Sequence, residues 1–352
     1  MSVTPAVRRR VTGWPLLVGL AVALVAMTVL AAGSGQLAVP PDEVLGSLLH
    51  GLGIDLGPMP SHPQGDNALW AVRFPRVALA VVVGACLAVA GAMLQGVFGN
   101  PLAEPAVVGV SSGAAVGACA VLVAGVSFLG NFTVAAAAFL GGLATTLVVY
   151  LLARSGGRTE VVTLVLTGIA VNAFAFGVIA FLTFAADPQA REQIVFWQLG
   201  SLNGATGQAL AAVTPLAVTG LVIAATVARR LDLLALGEGP ARHLGVDVER
   251  LRLLVVVGVA LLVGSGVAFA GIVGFVGLVV PHLIRMIAGP AHGVLLAASA
   301  LGGALVLVSA DLLARTAIEN AELPLGMLTS LVGGPFFFWL LRRTRSRQGG
   351  WA

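Results

Sequence analysis

The chain has 352 residues, 58% hydrophobic and 10% charged, with a mean hydropathy of +1.02. That composition excludes a soluble domain, and apolar runs that are continuous rather than alternating favour membrane-spanning helices over a β-barrel. The net charge of +4 comes from arginines flanking those runs and calls for no nucleic-acid partner.

Ten spans are predicted, at about 14–32, 77–96, 106–126, 132–152, 161–184, 209–228, 253–270, 272–288, 294–313 and 325–341. The first follows Arg8–Arg10 and mimics a secretory signal, but it is long enough to span. Its removal would leave nine helices and invert the charge bias. The stretch 33–72 is external and rich in Gly, Pro and Asp. Within it, Pro41 at a first-turn position and Asp42 and Glu43 at the positive helix end predict a short amphipathic helix along the membrane surface.

Gly84, Ala88, Ala92 and Gly96 recur every fourth residue in the second span, as do Gly109, Gly113 and Gly117 in the third. Small residues at that spacing predict helices packed at close range. Cys86 and Cys119 fall at membrane depth and read as small buried hydrophobes, not as a disulfide or metal ligands.

Asn100 to Pro105 joins the second and third spans. Two prolines frame a non-helical connection there, either a simple turn or a cytoplasmic constriction. The segment 229–252 is a polar island between apolar runs, carrying five of the nineteen arginines and regularly placed leucines. A dense charged patch in a chain that uses charge sparingly predicts a docking surface for a soluble partner. In 271–285, Gly271, Gly274, Gly277 and Pro281 predict a kinked helix under the island, with direct substrate contact as the alternative.

Arginine placement sets the orientation. Arg8–Arg10, Arg154, Arg158, the island, Arg285, Arg342, Arg343, Arg345 and Arg347 share one side, which the positive-inside rule makes cytoplasmic together with both termini. Arg73, Arg76, Arg191 and Arg315 fall opposite. Such arginines either snorkel to headgroups or pair with carboxylates of an acidic partner. Asp311 is placed to pair with Arg315 one turn away.

The chain has no lysine, hence no P-loop and no Schiff base. His50, His62, His243, His282 and His292 lack ligand spacing, and no H-E-x-x-H occurs. Neither a catalytic residue, a metal site nor a resident cofactor is expected. No linker divides the chain, so residues 1–352 read as one transmembrane domain.

R-F-P-R at 73–76, G-A-M-L-Q-G-V-F-G-N-P-L-A-E-P at 91–105, V-G-V-S-S-G-A at 108–114 and L-G-E-G-P-A-R-H-L-G at 236–245 belong together. So do G-I-V-G-F-V-G-L-V-V-P-H-L-I-R at 271–285, S-A-D-L-L-A-R at 309–315 and E-L-P-L-G-M-L-T-S-L-V-G-G-P-F-F at 322–337. In this order they closely resemble the iron-chelate and vitamin B12 permease family of bacterial ABC importers, the FecCD/BtuC type. The resemblance implies an all-α, ten-helix, type II importer permease of the inner membrane, working as a dimer, here expected to be a homodimer. It also implies two cytoplasmic ATPase subunits, which use ATP and Mg2+, and an extracytoplasmic binding protein.

On that resemblance, Leu233, Leu234, Gly237, Glu238, Ala241 and Leu244 contact the ATPase through a pair of coupling helices. Asn100 and Leu102 match the cytoplasmic gate, and Arg73, Arg76 and Arg315 match arginines that dock the binding protein. A second gate segment, usually small and hydroxylated, aligns with Val161 and Val162 and departs from the pattern. Asp187, Gln189, Arg191, Phe196 and Trp197 are similar to haem permeases, which favours haem over a ferric siderophore and cobalamin. The competing class, an ion-coupled secondary transporter, needs intramembrane ionisable groups, of which Asp311 is the main candidate.

Overall fold

The computed structural model describes residues 13–155, 158–319 and 321–345, so Arg8–Arg10 and Arg347 of the charge argument lie outside the described residues. The element order is α1 (Gly13–Gly33), α2 (Pro41–Gly51), α3 (Gly65–Ala68), α4 (Phe74–Phe98), α5 (Val110–Ala124), α6 (Thr133–Leu152) and α7 (Val161–Ala185). It continues with α8 (Pro188–Leu199), α9 (Gly207–Leu234), α10 (Glu238–His243), α11 (Val248–Ala270), α12 (Val276–Ala288), α13 (His292–Thr316) and α14 (Leu325–Arg345). Between α6 and α7, Arg154 and Ser155 pair antiparallel with Thr159 and Arg158.

Each expected span is a helix: among the described residues seven are long and apolar enough to cross a membrane, and three apolar helices, α5, α12 and the apolar part of α14, are shorter. The chain is an all-α, multi-pass membrane protein. At 15 and 13 residues, α5 and α12 reach about 22 and 20 Å, short of a hydrocarbon core of about 30 Å. The sequence pattern read both as full spans. Ahead of α5, Pro105 opens a 3-10 turn and Gly109 takes φ +80°; ahead of α12, Gly271 takes φ +67°. Irregular backbone at membrane depth persists only where protein surrounds it. Here protein does: Gly277 is buried at the start of α12, with its carbonyl against Gly91 of α4.

The second span starts earlier than expected. Helix begins at Gly65 and passes through a π turn, Leu69–Arg73, into α4. Pro75 has no N–H to donate, and the ladder widens just before it, with the Phe74 N–H bonding Leu69 O. The external helix is α2, with Pro41 at its start and Asp42 and Glu43 in its first turn.

Spans α4 and α11 are the most buried, while α1 and α7 turn most of their surface outward. One apolar cluster runs from Ala31 of α1 to Leu325 of α14. Its seams are the small-residue rows read from the sequence. A methyl group on Gly84 would lie 2.3 Å from the Gly303 carbonyl oxygen of α13, and one on Gly303 would lie 2.2 Å from that of Gly84. Gly113 and Gly141 meet in the same way between α5 and α6. Cys86 and Cys119 are buried and free.

Candidate functional site: island, gate segments and arginine clamp

At 28 residues, α9 reaches about 42 Å, longer than the hydrocarbon core, so its last turns carry Arg229 to Leu234 out of the apolar slab. The island therefore holds one short separate helix, α10, while its first part, Arg229 to Leu234, is continuous with α9. Gly237 (φ +105°) and Gly245 (φ +84°) turn the chain on either side of α10. Asp232 Oδ1 accepts the His292 backbone N–H at 2.8 Å and pairs with His292 Nδ1 at 2.7 Å, tying the end of α9 to the start of α13. The carboxylate there satisfies one of the free N–H groups of a helix start.

Arg252, buried in the second turn of α11, holds the island down. Its guanidinium donates to Glu238 at the head of α10 and, at 3.1 Å, to Glu249. Glu249 in turn accepts the Thr159 N–H at 3.0 Å. Thr159 ends the hairpin that feeds Val161 and α7, so a chain of charge-assisted bonds joins the island to the second gate segment. Sequence reasoning named Glu238 and missed Arg252, Glu249 and Thr159. The only available signal was the i,i+3 spacing of Glu249 and Arg252 within a charge-rich stretch.

Of the residues assigned to ATPase contact, Leu244 is 58% exposed, Gly237 and Glu238 are exposed and Leu233 is partly so. Leu234 at the end of α9 and Ala241 within α10 are 8% and 0% exposed, so their side chains face the core and not a partner. Leu236, 63% exposed and absent from the sequence assignment, is with Leu244 a second outward leucine of the island.

In the first gate segment, the Asn100 side-chain oxygen accepts the Leu102 N–H at 2.9 Å and the Asn100 carbonyl accepts the Ala103 N–H at 3.1 Å, closing a tight turn. Leu102 projects outward. Further along this loop, Glu104 accepts the N–H of Phe275 at 3.1 Å. Phe275 is the one non-glycine residue at positive φ (+65°) among the described residues. Burial pushes the Glu104 carboxyl above its ordinary value, and the Phe275 N–H opposes that shift. Pro101 of this loop and Val161 of the second segment line one cavity of about 450 Å³ with Leu234, Gly237 and Glu238 of the island. Val162, 70% exposed, faces outward.

Arg73, Arg76 and Arg315 gather at the opposite end of the bundle. Arg73 donates to the carbonyls of Ala32 (2.9 Å), Gly33 (3.1 Å) and Leu37. Arg315 donates to those of Ser34 (2.6 Å) and Ala31. Together they satisfy the orphan carbonyls at the C-terminal end of α1, where cations are favoured. Arg76 grips Asp311 with Nε at 2.9 Å and Nη2 at 2.8 Å, and also pairs with Glu322. The expected Asp311–Arg315 pair is present at 3.5 Å, weaker than the Arg76 pair. All three arginines are thus engaged as clamps within the chain.

Near this end a second cavity, of about 720 Å³, is lined by Gln189, Glu192, Phe196, Trp197 and Asn203 with the loop at Glu322. Asp187 caps α8 by accepting the Ala190 N–H at 2.8 Å. Arg191 donates to the carbonyls of Thr183 (3.2 Å) and Ala186 (3.1 Å) at the end of α7. Of the haem-like positions, only Gln189, Phe196 and Trp197 reach the cavity.

The FecCD transport family model matches residues 22–343. The chain is 42% identical over 292 residues to the hemin transport system permease protein of Yersinia pestis, covering 81% of this chain and 87% of the relative. It is 44% identical over 280 residues to the vitamin B12 import system permease protein of Vibrio cholerae, covering 79% and 83%. In structure it is similar to a metal-chelate type ABC transporter in an inward-facing conformation, with a TM-score of 0.82, 32% identity and coverage of 94% of this chain and 99% of that one. By this match over most of its length and by its relatives, the chain belongs to the FecCD transport family.

Proposed function

We propose that this chain is the permease of an ABC importer of the inner membrane and carries a metal chelate of the haem or vitamin B12 type. The relatives' names support the substrate class. They divide between hemin and B12, and the engagement of Asp187 and Arg191 as local caps removes two of the positions that favoured haem.

The observation that carries the mechanism is the bonded chain Glu238–Arg252–Glu249–Thr159. In the proposal, a cytoplasmic ATPase dimer that uses ATP and Mg2+ seats on the face bearing Leu236, Leu244, Gly237 and Glu238. Movement of α10 passes through Arg252 to the hairpin and to Val161, while Asn100 and Leu102 close the path on the other gate segment. Two copies of the permease enclose the path, the termini and island face the cytoplasm, and an extracytoplasmic binding protein delivers the chelate to the cavity beside Trp197. Alternating access follows when the ATPase opens and closes the island.

The test is reconstitution of the permease with its ATPase and binding protein in liposomes. Hemin or cyanocobalamin, loaded on the binding protein, should stimulate ATP hydrolysis and uptake. Uptake driven by an ion gradient with no ATPase present would refute the proposal in favour of a secondary transporter.

A further inference from the structure

The 450 Å³ cavity at the island end has a chemistry that neither the gate nor the docking surface uses. Arg285 lines it, and the guanidinium has no hydrogen-bond acceptor or ion pair among the described residues; its Nε and Nη2 are sealed from solvent without a partner. His292 and Gln95, 1% and 2% exposed, line the same cavity, each with one unpartnered polar atom, Nε2 and Oε1. Among the described residues the only carboxylate lining it, Glu238, is already held by Arg252 and Arg242. A cation with a desolvated edge and no counter-charge is costly, and unpaired buried polar atoms add to that cost.

The hydrogen-bond roles of these atoms are set by their other partners. The Gln95 side-chain nitrogen donates to the carbonyls of Leu278 (3.2 Å) and Ala103 (3.5 Å), which fixes Oε1 as a free acceptor. His292 Nδ1 is bonded to Asp232 Oδ1, which places the proton on Nδ1 in the neutral ring and leaves Nε2 as an acceptor. The site thus offers one guanidinium to an anion and two acceptors to a hydroxyl. A carboxylate or a sulfate answers only the first; a phosphate that retains a proton answers both, with its P–O⁻ on Arg285 and its P–OH toward Gln95 or His292.

We propose that this cavity is a binding site for a hydrogen-bearing phosphate group, either free inorganic phosphate or the phosphomonoester headgroup of phosphatidic acid.

The full-length permease is placed in phosphatidylcholine nanodiscs, and its thermal midpoint is followed against inorganic phosphate, sulfate and acetate at constant ionic strength. Phosphate should raise the midpoint saturably, with sulfate and acetate about tenfold or more weaker in apparent affinity. Arg285→Gln should lose about tenfold or more of the phosphate affinity, and Arg285→Lys, which keeps the charge without the fork, should retain part of it. In discs that contain phosphatidic acid, a midpoint already raised and indifferent to added phosphate identifies the headgroup as the source. A midpoint unchanged by that lipid but raised by phosphate identifies the free ion. No saturable response to phosphate or phosphatidic acid, an equal response in Arg285→Gln, or sulfate and acetate as effective as phosphate would overturn the proposal.

Discussion

At the clamp end of the bundle, Arg73, Arg76 and Arg315 meet four carbonyl groups at and just beyond the α1 terminus, a fifth at Leu37 in the bend that follows, and the carboxylates of Asp311 and Glu322. At the island end, Arg252 bridges three segments through bonds that can be remade, and Arg285 has no acceptor among the described residues. At one end every guanidinium is engaged by carbonyls or carboxylates; the other keeps polar groups in exchangeable or empty positions. Buried, saturated ion pairs lose several kcal/mol when one partner is removed, which suits a scaffold. An exposed short helix hung on one arginine loses far less when it shifts, which suits a moving part.

The sharpest way to break this contrast is to remove one partner of the clamp. Asp311→Asn should destabilise the folded chain by about 3 kcal/mol, the low end for a broken buried pair, because Arg76 and Arg315 lose a shared carboxylate while Glu322 still faces Arg76. The loss is read from the thermal midpoint in detergent, and the double variant Arg76→Met with Asp311→Leu should recover part of it. A clamp variant as stable as the wild type would end the comparison.

A smaller structural effect is expected on the tight seam between α4 and α13. Gly303→Ala places a methyl group against backbone rather than against a flexible side chain and should cost about 1–3 kcal/mol in the same assay.

At the island end, Arg252→Gln should separate stability from coupling. Substrate-stimulated ATP hydrolysis in the reconstituted complex should fall roughly tenfold, within the usual 1–3 kcal/mol of coupling between sites. Basal hydrolysis should remain, and unchanged stimulation would show that the bonded chain to Thr159 transmits nothing. Leu244→Asp should change the thermal midpoint little, since exposed substitutions stay within about 0.5 kcal/mol, yet weaken co-purification of the ATPase. Leu234→Asp is the wrong probe for docking, because that side chain is buried and an aspartate there would disturb the packing itself.

The smallest effect sharpens the substrate reading. Asp187→Ala should cost about 1 kcal/mol of stability through the lost cap of α8 and leave the preference between hemin and cyanocobalamin unaltered. A switch in preference would restore Asp187 as a substrate contact.

Much of the bundle was legible in the sequence because membrane helices advertise themselves by length and apolarity. The rows at Gly84 and Gly113 predicted the close seams for the same reason, since only small residues permit them. The shortness of α5 and α12 was not legible: an apolar residue at membrane depth looks the same whether its backbone is helical or irregular. The arginines at 73, 76 and 315 were visible, but their partners were not. Two of the three point to backbone carbonyls, and a carbonyl leaves no mark in a sequence. The island was recognised as polar, and its division into outward leucines and buried anchors needed the turns at Gly237 and Gly245 to be in place.

The contact between Glu104 and Phe275 joins two features of similar size and opposite sign. A bulky residue in the left-handed region stores about 1–3 kcal/mol, and a hydrogen bond to a charged group returns about 1.5–3 kcal/mol. When the loop that carries Glu104 moves away, the bond is lost, but Phe275 is free to relax into an ordinary backbone geometry. The two changes nearly cancel. The loop from Asn100 to Pro105 is thereby counterweighted, like a sash window: it rests in position without being locked there, and a modest pull from elsewhere in the molecule is enough to lift it.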